Sequence, residues 1–335
     1  MKETDAMHRR HLLGALPAAT LAVGLAASAA QAGNQPGTII ESWFIHAESV
    51  GDPVAVEKGF YGEAGLEVTV VPGGPGLSPI DRVMAEARNG ALVLGIDYPY
   101  NLLDARQRQG LPLVVLASDF QKSAMHILSW KPIESADDIR GVFATWIGYD
   151  KPIKAVVGKG WEDRIQIVNQ QGDPATLGGW LAKQYDFASA MLYNEVMVAE
   201  KVVKEPYFVY SYERFGIDWP ENVLFTTQDV IEKYGDKIAE FVQARYRGFK
   251  HALDNPDEAV QILLKYNPNL DPEFEKTAIE RIRTIMVTGE TKAHGLGYLD
   301  EAKIRDMARR LHEVGILGSD SIEGFLHPIP SGVMP

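Results

Sequence analysis

The segment from Thr38 to Val71 constrains the chain most, because two β-branched runs enclose one helical pattern. Thr38-Ile39-Ile40 reads as a strand. Asp52-Pro53 reads as a helix start, with Asp52 as N-cap and Pro53 in the first turn, where its missing N–H costs nothing. Val54, Val56, Phe60 and Tyr61 give that helix an apolar face, and Gly65 stops it. Leu66-Glu67-Val68-Thr69-Val70-Val71 alternates and supplies the second strand. A strand–helix–strand unit of this length implies parallel strands joined by a right-handed crossover. Ligands of such sheets gather beyond the carboxyl ends of the strands, which places the loop from Trp43 to Gly51 at a cleft.

The alternation continues. Pro72-Gly73-Gly74-Pro75-Gly76 is a turn cluster without the Lys-Ser/Thr of a phosphate loop. Ser78-Pro79-Ile80-Asp81 opens a helix that runs to Arg88 and closes at Gly90. Leu92 to Ile96 is a buried strand with Asp97-Tyr98-Pro99-Tyr100 at its exit. A helix to Gln109, stopped by Gly110, and a strand from Leu113 to Ala117 follow. After Phe120 the pattern restarts, with strands expected over 142–146, 164–168, 187–192 and 207–212 and helices over 153–157 and 175–183. Val223-Leu224-Phe225 crosses back, and the remainder is helical, with starts at Thr227, Asn255-Pro256 and Asp271-Pro272. Ile304, Met307, Ala308 and Leu311 mark a last amphipathic helix, closed by Gly315. The pattern implies an α/β chain of two lobes with a ligand cleft between them. Residues 33–119 and 226–335 form lobe 1, and residues 120–225 form lobe 2.

Residues 1–32 read as a signal peptide rather than fold. Arg9-Arg10 precedes an apolar, Ala-rich run that ends in the cleavage pattern Ala30-Gln31-Ala32. The paired arginines point to the twin-arginine route, although His8 and Leu12 depart from its commonest form, and Pro17 argues against a membrane anchor. No Cys follows the run, so the expectation is periplasmic export without lipid attachment. Removing these residues leaves 30 basic and 43 acidic side chains, a net charge of −13. That acidity disfavours nucleic acid and anionic membrane surfaces as partners. The absence of Cys excludes disulfides, thiolate metal sites and Cys nucleophiles.

Trp43, Ala55, Glu57-Lys58-Gly59-Phe60-Tyr61 and Gly65-Leu66-Glu67-Val68 resemble the W…A-x-E-K-G-F-Y-x-E-x-G-L-x-V opening of periplasmic solute-binding proteins. The subgroup is that of thiamine-pyrimidine and riboflavin-precursor binders, with sulfonate and nitrate binders as more distant relatives. The similarity weakens from about Thr38 to about Asp254, and Asp137-Asp138-Ile139-Arg140-Gly141 resembles the D-L-K-G element that begins the second lobe. The resemblance implies a periplasmic-binding-protein type II fold that closes on a small-molecule ligand by hinge motion. It implies delivery to the membrane subunits of a cognate ABC importer by a monomer that carries no cofactor.

The candidate ligand-binding residues are Trp43, Asp97, Tyr98, Gln121, Trp146, Tyr149, Tyr193, Asn194 and Glu195. Trp43 follows the first strand and either stacks on a flat ligand or belongs to the core. Asp97 and Tyr98 stand at the third strand's exit, where Asp97 serves the ligand or caps the next helix. Gln121, with Lys122 and Ser123, lies at the first lobe crossing and lines the cleft or forms the hinge. Trp146 and Tyr149 bound a strand-to-helix loop. Tyr193-Asn194-Glu195 resembles the Y-x-E or N-E element of the pyrimidine binders, and Glu195 also suits a helix first turn. His46, Glu48 and His126 match no metal-ligand spacing.

Such a wall offers acceptors and aromatic faces, with Lys122 as its one cation. It suits a nitrogen heterocycle with N–H donors or a cation. The alternative ligand is a sulfonate or other small organic anion. The fungal-type synthases of the same fold family make the thiamine pyrimidine with a Lys at the third strand's exit, a His four residues on and a Cys-rich iron motif. Here those positions are Asp97 and Asn101 and there is no Cys, so the expectation is a binding protein and not an enzyme.

Overall fold

Two five-stranded sheets organise the chain, and the polypeptide passes between them twice. The computed structural model describes residues 33–170 and 177–335, so the expected signal peptide, residues 1–32, lies outside the described residues.

The first sheet begins with β1 (Gln35–Ile40). A single 3-10 turn, α1 (Gly51–Glu57) and α2 (Phe60–Glu63) then lead to β2 (Leu66–Val71), which pairs with β1 in parallel. Gly59, at φ 73, divides the one helix expected between Asp52 and Gly65, because a left-handed residue cannot continue a right-handed helix. Asp52 is not the N-cap that the sequence predicts. It lies inside α1, fully buried, and accepts hydrogen bonds from the Tyr61 hydroxyl at 2.6 Å and Arg245 Nε at 3.0 Å. The buried guanidinium requires a carboxylate more than the helix end does.

Next come α3 (Pro79–Arg88), β3 (Leu92–Asp97), α4 (Pro99–Gln109) and β4 (Leu113–Phe120). Ser78 caps α3 by accepting the Asp81 N–H at 3.1 Å, and Gly110 ends α4 at φ 66, both as the sequence implies.

The second sheet comprises β5 (Met125–Ser129), β6 (Gly141–Thr145), β7 (Ile165–Asn169), β8 (Phe187–Met191) and β9 (Phe208–Ser211), in the order β7-β6-β8-β5-β9. It is accompanied by α5 (Lys151–Val157), α6 (Gly178–Leu181) and α7 (Glu195–Val202). The helix expected over 175–183 is described only from residue 177; its start lies outside the described residues. β10 (Glu221–Thr227) returns to the first sheet and lies antiparallel between β3 and β4, giving the order β2-β1-β3-β10-β4. Five helices follow: α8 (Gln228–Asp254), α9 (Pro256–Tyr266), α10 (Pro272–Met286), α11 (Gly289–His294) and α12 (Glu301–Glu313).

The connections between the sheets, residues 121–124 and 212–220, are braced from the C-terminal helices. The Gln121 N–H donates to the Ile285 carbonyl at 2.9 Å, and Lys303 Nζ reaches the Gln121 carbonyl at 2.7 Å and the Asp218 carboxylate at 2.8 Å. Glu221 ties the two connections together, bonded to the Ser123 hydroxyl and accepting the Ala124 N–H at 2.8 Å. Burial pushes its carboxyl up to about 8.

α8 packs directly on α1, because Gly248 has no Cβ to strike the Gly51 carbonyl and Ala55. That approach seats Arg245, which is fully buried, between Asp52 and Asp119. Arg245 Nη2 donates to Asp119 Oδ2 at 2.9 Å, and the Tyr246 hydroxyl donates to Asp119 Oδ1 at 2.8 Å. Removing the cation strands two buried carboxylates in a low-dielectric core. Arg245→Met should therefore lower the unfolding free energy by about 3–5 kcal/mol in urea titrations. Wild-type stability in that variant would show that the three groups do not depend on one another.

Candidate functional site

Four strand exits converge on one cavity of about 600 Å3. β1 delivers Trp43 to Glu48, β3 delivers Tyr98, β6 delivers Trp146 and Tyr149, and β8 delivers Tyr193 to Glu195. β1 and β3 are parallel neighbours in the first sheet and β6 and β8 in the second, so each lobe presents the carboxyl ends of its strands to the same space. The remaining wall is Val198, Lys201 and Val202 of α7 together with the turn between α9 and α10 and the first turn of α10, from Asn267 to Glu275.

Glu48 occupies the centre. Its Oε1 accepts from Ser42 Oγ at 2.9 Å and Asn222 Nδ2 at 2.6 Å; its Oε2 accepts from the Tyr193 hydroxyl at 2.9 Å and lies 3.3 Å from His46 Nε2. Asn222 sits at φ 51, a left-handed conformation that non-glycine residues rarely adopt, at the position that aims its amide at Glu48. Burial pushes Glu48 up, but hydrogen bonds from His46, Asn222 and Tyr193 outweigh it and hold the carboxyl below its usual range. Burial likewise pulls His46 down, and the neighbouring Glu48, Glu275 and Glu195 leave it raised.

Glu195 is the first residue of α7 and is buried. Its Oε2 accepts the Met191 N–H and its Oε1 accepts Asn194 Nδ2, each at 2.9 Å, so one acceptor site per oxygen stays open. Burial pushes it up to about 7. Glu275 accepts the Ala47 N–H at 2.7 Å and is also raised by burial. Around these carboxyls stand the rings. Tyr98 from the first lobe meets Tyr149 from the second edge-on at 4.7 Å, and Trp43 meets Phe44 edge-on at 5.6 Å.

Seven of the nine residues singled out from the sequence line the cavity: Trp43, Tyr98, Trp146, Tyr149, Tyr193, Asn194 and Glu195. Asp97 and Gln121 do not. Asp97 lies behind the wall, accepting from the Tyr98 N–H at 2.7 Å and Asn101 Nδ2 at 3.0 Å, and burial raises it to about 6. The Gln121 amide is spent on the Ser118 and Tyr298 carbonyls, at 3.1 and 2.7 Å. Lys122 is likewise absent from the wall and pairs with Glu213 at 3.4 Å. The basic side chains on the cavity are instead Lys201 and His46. Sequence reasoning weighed His46 and Glu48 only as metal ligands and gave Asn267 to Glu275 no role beyond a helix start. The one signal was the position of His46 and Glu48 in a strand-exit loop.

A family model described as NMT1/THI5 like matches residues 46–259, and the chain belongs to that family. The formylaminopyrimidine-binding protein of Halalkalibacterium halodurans is 26% identical over 235 residues, 68% of this chain and 69% of that protein. Among solved structures, the periplasmic aliphatic sulphonate binding protein SsuA of Escherichia coli has the same fold. Its TM-score is 0.60 at 11% identity, over 84% of this chain and 86% of that one. The desulfurization enzyme DSZB also shares the fold, with a TM-score of 0.54 at 12% identity, over 87% of this chain and 96% of that one. The architecture is the periplasmic-binding-protein type II fold.

The raised carboxyls set a pH dependence. Asp97, Glu195 and Glu221, at about 6, 7 and 8, keep protons in the folded state that they lose in the unfolded chain. His46 is raised and acts in the same direction; His126 is lowered by burial and acts against them. Their contribution is therefore complete at acidic pH and is lost as pH rises through 6 to 8. Unfolding free energy should fall between pH 5 and pH 8, by at most about 1.4 kcal/mol per pH unit for each proton. Glu221→Gln retains a donor–acceptor pair for Ser123 and Ala124 and should flatten part of that fall. A stability that rises with pH over this range would contradict the assignment.

Proposed function

We propose that this chain is the periplasmic solute-binding component of an ABC importer and that it captures an aminopyrimidine-type heterocycle between its lobes. The observation that carries the reading is the wall itself: Glu48, Glu195 and Glu275 among the rings of Trp43, Tyr98, Trp146, Tyr149 and Tyr193. An aminopyrimidine presents an amine donor beside a ring nitrogen that accepts a proton. A carboxyl that titrates near neutral pH matches that edge, because one shared proton satisfies the ring nitrogen while the second oxygen accepts from the amine. Trp43 offers a half-buried ring for stacking, and closure excludes water and strengthens the polar contacts. The relative named for formylaminopyrimidine supports the same ligand class.

A sulfonate brings three acceptor oxygens and needs donors. The side chains on this cavity supply four acidic groups, Glu48, Glu195, Asp271 and Glu275, against His46 and Lys201. The proposed role involves no catalysis. Asn101, which the resemblance aligns with the synthases' His, donates to Asp97 and accepts from Lys151 Nζ at 2.9 Å, so both residues are engaged away from the cavity.

Titration calorimetry with a formylaminopyrimidine and an alkanesulfonate tests the assignment. The pyrimidine should bind, and Glu195→Gln should weaken it at least tenfold, since a charge-assisted hydrogen bond contributes roughly 1.5–3 kcal/mol. Binding of the alkanesulfonate alone, or wild-type affinity in Glu195→Gln, would overturn it.

A further inference from the structure

The cavity is larger than the ring that its deep end suits. A space of about 600 Å3 is the size that encloses a drug-sized molecule. A pyrimidine with an amine and a methyl group has fewer than ten heavy atoms and leaves much of that space unfilled.

The lining divides by depth. Tyr98, Trp146, Tyr193, Glu195 and Glu275 are buried and form the polar, aromatic end. Phe44, Val198, Val202, Leu270 and Phe274 form an apolar collar toward solvent. Phe44 is 47% exposed and Val202 is 45% exposed, and they come from opposite lobes, one after β1 and the other at the end of α7. Only five large hydrophobic side chains are at least 45% exposed among the described residues, so finding two of them on one rim marks a surface built to be covered.

Phe44 is also held in place. Its ring lies against Gly74, where a Cβ would come within 3.1 Å, and it meets Trp43 edge-on. Trp43 thus connects the collar to the deep chamber without a break. Lys201 and Asp271 on the rim are opposite in sign and favour neither charge. What covers the collar is therefore neutral, apolar and joined to the group in the chamber.

We propose that the natural ligand is a two-part molecule. Resting on the aminopyrimidine reading of the deep chamber, it carries on that head a neutral alkyl or aryl arm that lies on the collar. Closure clasps the arm between Phe44 and Leu270 on one lobe and Val198 and Val202 on the other. The arm covers apolar surface that would otherwise face water, so affinity rises with its length until the rim is filled.

Calorimetry with two synthetic ligands tests this, one a 4-amino-2-methylpyrimidine and the other the same ring bearing a benzyl arm. The armed ligand should bind the wild type at least tenfold more tightly. The double variant Val198→Ser, Val202→Ser should lose most of that gain and keep its affinity for the short ligand; both lie on the outer part of α7, one half-buried and one exposed, and neither supports Trp43. Equal affinity for the two ligands in the wild type, or a gain that survives the double variant, would overturn the arm and leave the aminopyrimidine reading standing. Failure of both ligands to bind would overturn both. A ligand-free dimer in sedimentation that the double variant breaks would assign the collar to a second copy and overturn the arm as well.

Discussion

The Glu48 carboxylate joins what the chain builds separately. It sits in the loop after the first strand, yet its partners come from a strand exit of the second lobe and from the return strand of the first. Two of its hydrogen bonds, from Ser42 and Asn222, fix it to the first lobe, and the third, from Tyr193, crosses the cleft. Other cross-lobe contacts flank this one: Arg281 Nη1 with the Leu192 carbonyl at 3.1 Å, and Lys151 with Asn101 at 2.9 Å. Polar contacts of this kind already join the two walls of the cleft, and a ligand that bridges the same walls adds to them. That is how differential contact shifts a hinge equilibrium.

The frame around Glu48 has its own requirement. Arg245, Asp52 and Asp119 anchor α8 and α1 to the end of β4, where the first connection to the second lobe starts. Residues beyond the segment matched by the family model then brace both connections: Ile285 of α10, Tyr298 of the loop before α12, and Lys303 of α12. The same fold serves a sulphonate binder and a desulfurization enzyme. Function must be read from the cavity wall and not from the architecture.

The strand exits were legible because β-branched runs and turn residues locate the carboxyl ends of parallel strands, and ligands gather there. Tyr98, Trp146 and Tyr149 follow from that rule, and for Trp43 and the segment from Tyr193 to Glu195 the family resemblance points to the same residues. What was not legible depends on partners distant in sequence. Glu48 is set by Tyr193, 145 residues on, and by Asn222, 174 residues on. Asp52 has the local signature of a cap and is claimed instead by Arg245, 193 residues away. Asn267 to Glu275 reach the cavity only because α10 folds back onto the loop after β1. β5 went unread because Met125-His126-Ile127-Leu128-Ser129 carries a single β-branched residue and has no adjacent glycine or proline to mark its ends.

A crystal structure of the protein with a formylaminopyrimidine tests the central claim most directly. The heterocycle should lie inside the cavity, its amine and ring nitrogen within hydrogen-bond distance of the Glu195 carboxyl, and the Trp43 ring against its face. A ligand seated elsewhere, or one whose donors turn away from Glu195 toward backbone carbonyls, would contradict it.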